Sequence, residues 1–328
     1  MPLTLDEFQR EQFQGYVENV PVAKRRLLAA VMPTVPTFDT DFSYGVVSGK
    51  YARAASITGW NAGAPLRDKQ GLSVAYGSVA KIQHGFKLDE KELIKFNRPR
   101  SEGERASVVD YVYNETDDLI EGVRETEEYF RASAIYRDTL TYAENDIVLN
   151  IDFGIPEANK LTATTPWATV ATATPLTDLQ LAVKRFKAAN RGQMPSVIHM
   201  SGAAEANMLQ NEQIKSQIYG SPTDRRILTP VDLRNTFTAL SLPDYVVTDE
   251  VVDIGNGDER LLPENRVALI GTNLGQLMVG PTVENNYQPG VYVVPEIKAT
   301  NPPQQAVFVG ESAFPALKQP SGIVWLDV

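Results

Sequence analysis

The chain has 328 residues, 43% hydrophobic and 22% charged, enough to bury a substantial core as one large domain or two intertwined ones. Its 31 basic and 41 acidic residues leave a net charge of −10, which excludes nucleic-acid binding through a general positive field. With no cysteine, disulfides, thiolate nucleophiles and thiolate metal sites are excluded as well. No apolar run is long enough to span a bilayer, and the acidic, polar start MPLTLDEFQREQ is unlike a signal peptide.

From the N-terminus, Thr4 and Glu7 form a capping box for a helix to about Val20, with Leu5, Phe8, Phe13, Tyr16 and Val17 as its apolar positions. Pro21, Pro33 and Pro36 then break the chain into an extended arm with no core of its own. Between Tyr44 and Phe86 the period becomes two: Leu72, Val74 and Tyr76 alternate with small or polar residues, and Tyr51–Thr58 is a possible partner strand. The connecting stretch Gly59–Gly71 is rich in breakers, with Trp60 and Leu66 as its large apolar groups and Arg67 and Lys69 as its cations. Such a two-stranded flap needs another surface to lie on. A short helix, Glu90–Phe96, follows Asp89 and ends before Pro99.

A very long charged helix comes next. Ser101 and Glu104 have the chemistry of a capping box, and no Pro interrupts the chain to about Leu140. Val108, Val112, Leu119, Val123 and Phe130 recur at steps of four and seven, a narrow apolar stripe on a rod of roughly 60 Å. The paired acids Asp117-Asp118 and Glu127-Glu128 read as its wet face. A buried strand, Ile147-Val148-Leu149-Asn150-Ile151-Asp152-Phe153-Gly154, follows, then Asn159 and Trp167.

Beyond Trp167 the pattern is α/β. Thr177 and Gln180 open a helix that closes at Gly192; strand Ser196–Met200 leads to a helix at Ala203–Asn211; Thr229-Pro230-Val231-Asp232 starts another. Strands Tyr245–Val252 and Val267–Ile270 flank a turn at Gly255–Asp258, and the tail alternates strand and breaker at Gly290–Val294, Gln305–Gly310 and Gly322–Val328. The last run, Ile323–Val328, is expected to dock beside Ile147–Phe153 and bury Trp325.

The chemistry-bearing residues favour structural roles. Of the two histidines, His84 falls in the flap and His199 ends a strand, and neither has a second His at ligand spacing. Gly271-Thr272-Asn273-Leu274-Gly275 lacks the Lys-Ser/Thr of a phosphate loop and reads as a turn. The Asp-Phe-Gly at Asp152–Gly154 has no glycine-rich loop before it to make a kinase. These residues predict no enzyme, no cofactor and no metal site.

Ile147–Gly154 with Asn159 and Trp167, and later Leu262-Pro263-Glu264-Asn265-Arg266-Val267-Ala268-Leu269-Ile270-Gly271, resemble in order and spacing the major capsid proteins of tailed phages, specifically the phage lambda major capsid protein E family. The resemblance runs from about Val20 to the C-terminus. It implies an α+β phage major-capsid fold: an N-terminal arm (1–43), an extended two-stranded loop (44–86), a peripheral domain crossed by a long spine helix (87–176), an axial α/β domain (177–288) and C-terminal strands returning to both (289–328). It also implies hexamers and pentamers of an icosahedral phage head enclosing double-stranded DNA without sequence-specific contact. Scaffolding, decoration and portal proteins would be partners, with assembly in the host cytoplasm. In that setting the loop tip, with Trp60, Leu66, Arg67 and Lys69, is an intersubunit contact, and the arm is a second surface completed by neighbours. The alternatives are an encapsulin-type compartment shell and, in a different class, a soluble α/β ligand-binding or enzyme domain over 177–288.

Overall fold

In this computed structural model, which describes residues 10–21, 26–46, 73–99, 101–144, 147–222, 225–255, 257–298 and 304–328, the charged segment after Ser101 is a helix, Glu102–Ala132. The Ser101 hydroxyl accepts the Glu104 N–H at 3.2 Å, satisfying one orphan donor of the first turn. Val108, Val112, Leu119, Val123 and Phe130 are all buried, so the narrow stripe is the face the helix packs. The helix stops short of Leu140. Its last turn, Ser133–Arg137, widens into π geometry, and Asp138 reverses the chain at φ 63°. The Asp138 carboxylate supports that left-handed turn by accepting the Ile155 N–H at 2.7 Å and facing Lys160 Nζ at 3.0 Å. Thr139–Glu144 is therefore a strand, antiparallel to Ile147–Asp152.

Other local signals hold. Asp89 with Glu92 and Thr229 with Asp232 form complete capping boxes. Helix Pro175–Ala189 begins before Thr177 because Pro175 takes its first turn, and Thr177 Oγ1 accepts from Gln213 Nε2 at 2.9 Å. The expected strand Tyr245–Val252 divides into Tyr245–Val247 and Val251–Asp253. Between the two, Asp249 turns aside to accept the Gly202 N–H at 3.1 Å and Arg260 at 2.8 Å. Val251–Asp253 then forms a hairpin with Asp258–Arg260. Helix Glu212–Tyr219, capped by Asn211, has no counterpart in the sequence reading. Among the described residues no helix is long and apolar enough to cross a membrane.

The chain forms two compact units. One falls within Met1–Phe42, Tyr76–Arg131 and Gln276–Ala316, the other within Ser43–Ala75, Ala132–Gly275 and Leu317–Val328. In the first, the long strand Gln304–Leu317 pairs antiparallel with Ala80–Leu88 on one side and Tyr292–Lys298 on the other. The six-stranded sheet continues through Gly275–Thr282, with Thr34–Pro36 parallel to it. Val293, Val307 and Val309 of the sheet meet the helix stripe in one core with Phe13, Leu93 and Phe96. His84, expected in the flap, belongs to strand Ala80–Leu88; its Nε2 donates to the Leu119 carbonyl at 2.5 Å. Its ring occupies the space over Gly122, where a Cβ would run into it.

One expectation fails in this unit, that the paired acids Glu127-Glu128 are wet: the helix offers charged groups at every turn, and the N-terminal stretch uses them. That stretch is docked on its own subunit, with Phe13, Val17, Leu28 and Met32 buried. Tyr16 donates to Asp117 at 2.7 Å, and Arg124 donates to the Val20 and Pro21 carbonyls at 3.0 and 3.1 Å. Glu128 is buried instead of wet; it accepts the Leu28 N–H at 2.6 Å and pairs with Arg131 at 3.3 Å. At the open edge of Tyr292–Lys298, the Gln14 amide bonds to Val291 O at 3.0 Å and Val293 N at 2.9 Å, standing in for a neighbouring strand.

In the second unit a five-stranded sheet runs in the order Lys160–Thr162, Ile323–Asp327, Arg266–Ile270, Val197–Met200, Tyr245–Val247. Helix Pro175–Ala189 packs on it. Ile323–Asp327 pairs with Arg266–Ile270 and Lys160–Thr162, not with Ile147–Phe153 as expected. Ile323, Val324, Trp325 and Leu326 are all buried, so both faces of this strand must be covered. A central place in a covered sheet does that, and a two-stranded hairpin does not.

Gly122 gives a test of the helix–sheet contact. Gly→Ala in a helix interior ordinarily stabilises by about 1 kcal/mol. Here Gly122→Ala should bring no gain, because it displaces His84 from the Leu119 carbonyl; in a His84→Ala background the gain of about 1 kcal/mol should reappear in urea denaturation.

Candidate functional site

The residues singled out at the loop tip, Trp60, Leu66, Arg67 and Lys69, lie outside the described residues, as does the expected partner strand Tyr51–Thr58. The described part of that loop is its base, where Asp41–Val46 pairs with Ser73–Ser78. Tyr76 there is 83% exposed and Val74 is exposed on the same face of the strand.

The motif residues after the long helix are brought together, around the last strand. Asn159 Nδ2 donates to the Ile323 carbonyl at 2.8 Å and the Ser321 carbonyl at 3.3 Å, while its Oδ1 accepts from Arg185 Nε at 3.0 Å. Asn190 takes Ser321 O as well, at 2.9 Å. Trp167 is fully buried, and its Nε1 donates to Asp178 Oδ2 at 3.0 Å. Burial raises the Asp178 carboxyl above its usual range, and the Trp167 bond pulls it back down. Trp325 Nε1 donates to the Ile135 carbonyl at 2.8 Å. Arg266 lies over the Trp325 ring at 4.5 Å, chelates Asp327 at 2.6 and 3.1 Å, and donates to the Tyr136 carbonyl at 2.7 Å. These contacts were invisible in the sequence, where Arg266 and Asp327 are 61 residues apart.

His199 is 1% exposed, and its Nδ1 shares a 2.7 Å hydrogen bond with Tyr136 Oη. An imidazole so enclosed cannot reach a solute; its partner is the π-wound end of the helix. Burial lowers its pKa to about 4. The Gly271–Gly275 turn is used by the C-terminal segment: Lys318 N and Gln319 N both donate to Leu274 O at 2.8 Å, and Gly271 N donates to Gly322 O at 2.9 Å. Among the described residues no group of three or more His, Asp or Glu could hold a metal ion.

What remains open is surface. A cleft of 310 Å³ in the second unit is walled by Thr162, Ala163, Pro166, Pro263 and Asn265 beside Val328. Large apolar groups stand in solvent at Ile227, 85% exposed, and at Val231 in the second unit, and at Ile94, Val283 and Tyr287 in the first.

The family model for phage major capsid protein E matches residues 11–328. Among solved structures, a putative capsid protein of a prophage of E. coli CFT073 is similar over 97% of this chain and 98% of its own, with 12% identity and a TM-score of 0.64. A phage-related protein from Bordetella bronchiseptica RB50 is similar over 97% and 98%, with 11% identity and a TM-score of 0.57. At such identities the likeness is one of fold, and it bears out the α+β capsid architecture. A search of curated proteins finds no match.

Two measurements check the network around the last strand. Trp325→Phe keeps the packing but strands the Ile135 carbonyl, and should cost about 1–3 kcal/mol in equilibrium unfolding. His199 is held neutral below its unfolded pKa of 6.5, so its contribution is present above 6.5 and lost as pH falls towards about 4. Unfolding free energies from urea titrations at the two ends of that window should differ in the wild type by about 3 kcal/mol more than in His199→Gln.

Proposed function

The chain belongs to the phage major capsid protein E family, and from that premise we propose that its copies form the hexamers and pentamers of an icosahedral head around double-stranded DNA. It is a structural capsid protein, and its place is the head of the virion. The observation that carries the reading is the reach of the family match, residues 11–328, which takes in the N-terminal stretch, the loop, the long helix and the last strand together. The long helix with its six-stranded sheet supports a peripheral domain, near 87–176 with returning strands from 289–328. The five-stranded sheet and its helices support an axial domain near 177–288.

The loop of 44–86 is the proposed reach to a neighbour, with Trp60 or Leu66 buried there and Arg67 and Lys69 beside its acids. Exposed Val74 and Tyr76 at the loop base favour this. Single exposed ion pairs contribute about 0–1 kcal/mol, so the contact would gain its strength from repetition around the shell. The net charge of −10 suits a container that holds DNA without gripping it. Scaffolding, decoration and portal proteins complete the proposed set of partners, with assembly in the host cytoplasm.

Sedimentation and negative-stain microscopy of the purified protein, alone and with a co-expressed scaffold, test the assembly. Rings or closed shells are expected; a monomer under every condition would overturn the proposal. Limited trypsin digestion should cut at Arg67 and Lys69 in free subunits and spare both after assembly, while equal cleavage in the two states would remove the loop contact.

A further inference from the structure

The second unit carries two charged surfaces that its own fold leaves unbalanced. From Leu179 to Ala204 the chain has no acidic residue, and Lys184, Arg185, Lys187 and Arg191 all fall there. From Asp249 to Glu259 the sign reverses: Asp249, Glu250, Asp253, Asp258 and Glu259 occur with no cation among them. Part of each set is engaged at home. Arg185 donates to Asn159 at 3.0 Å, Arg260 pairs with Asp249 at 2.8 Å, and Arg137 pairs with Glu259. The rest faces solvent. Lys184 and Lys187, exposed on helix Pro175–Ala189, are in no ion pair among the described residues. Asp253 accepts the Gly255 and Gly257 N–H groups at 2.8 and 3.2 Å, and among the described residues neither it nor Asp258 meets a cation. Apolar groups stand with both: Leu181, one turn before Lys184, is 58% exposed, Met194 is exposed after the helix, and Val251 is exposed in the hairpin.

Topology sets the two surfaces at opposite ends of the five-stranded sheet. The Gly192 N–H closes the helix onto the Lys187 carbonyl at 2.7 Å, and Asn190 donates to Ser321 O, where the last strand begins. The basic turn therefore lies where strand Val197–Met200 starts. Tyr245–Val247 runs parallel to that strand, and the acidic hairpin follows its far end. There Asp249 holds the Gly202 N–H, just past Met200. One subunit cannot bring its own two surfaces together. Copies set end to end satisfy both, because the basic end of one meets the acidic end of the next. A contact of that heterologous kind closes into a ring when its rotation allows.

We propose that the exposed face of Leu181, Lys184, Lys187 and Met194 docks on the acidic hairpin, Val251–Arg260, of a second copy of this chain. Charge complementarity selects the partner and its register, and the apolar groups supply area to bury. The contact presupposes the ring assembly proposed above and names the surfaces that would join its subunits.

Charge reversal in the full chain is the test, read by sedimentation velocity under the conditions in which the wild type assembles, with circular dichroism to check that each variant folds. One variant carries Lys184→Glu and Lys187→Glu. The other carries Asp258→Lys and Asp253→Asn, the asparagine keeping an acceptor for the two glycine N–H groups. Each should associate about tenfold or more weakly than the wild type, since the attraction is lost or turned to repulsion. A chain with all four changes should associate about threefold or more tightly than either variant, because the reversed charges again attract. Asp258→Lys alone stands in should the hairpin pair fail to fold. Variants that assemble as the wild type does, or a four-change chain no better than its parents, would overturn this contact and leave the assembly reading standing. A wild type that stays monomeric under every condition would overturn both.

Discussion

The second unit depends on giving donors to the carbonyls at the end of the long helix. A helix terminus leaves its last carbonyl groups without partners, and a buried one must find them elsewhere. Here the turn Ser133–Arg137 opens into π geometry, and the sheet supplies what is missing: Trp325 Nε1 takes the Ile135 carbonyl and Arg266 takes that of Tyr136. Those two donors come from adjacent strands, Ile323–Asp327 and Arg266–Ile270, so the chain's last strand has to be in place before the helix end is satisfied. Asn159 and Asn190 then hold the approach to that strand by its Ser321 and Ile323 carbonyls. The Asp138 reversal, the His199–Tyr136 bond and the Arg266–Asp327 pair all follow from where the helix stops.

The charge distribution divides the two units differently. In the second, the buried imidazole of His199 is kept neutral by burial and resists protonation. In the first, acids that a helical wheel assigns to solvent are drawn inside, because the N-terminal strap brings main-chain donors and acceptors to Glu128 and Arg131. A buried charge is tolerable only with such partners, and the helix supplies them at successive turns. The same rail explains why the strap is covered by its own subunit. Apolar groups such as Ile227, Val283 and Tyr287 stay exposed.

Comparing expectation with structure separates local from non-local information. The caps at Ser101, Asp89 and Thr229, the buried stripe from Val108 to Phe130, and the buried Trp325 were legible, because each is set by neighbours within a few residues or by bulk hydrophobicity. The order of Ile147–Gly154, Asn159, Trp167 and Leu262–Gly271 was enough to point to the capsid family that the whole-chain match establishes. The partner of Ile323–Asp327, the place of His84 and the burial of Glu128 were not legible. Nor was the network of Asn159, Arg185 and Ser321, whose members stand far apart along the chain.

The amino-acid sequence by itself determined the periods, the caps and the breakers, and through their order the family and the kind of protein this is. Tertiary structure alone decided which strands pair, which acids lose their water and where the longest helix ends. Helix periodicity and capping are energies of adjacent residues. A ladder partner, a counter-ion or a donor for a terminal carbonyl can come from distant chain, as Ile135 and Trp325 do at a separation of 190. Only folding brings such groups within hydrogen-bond reach.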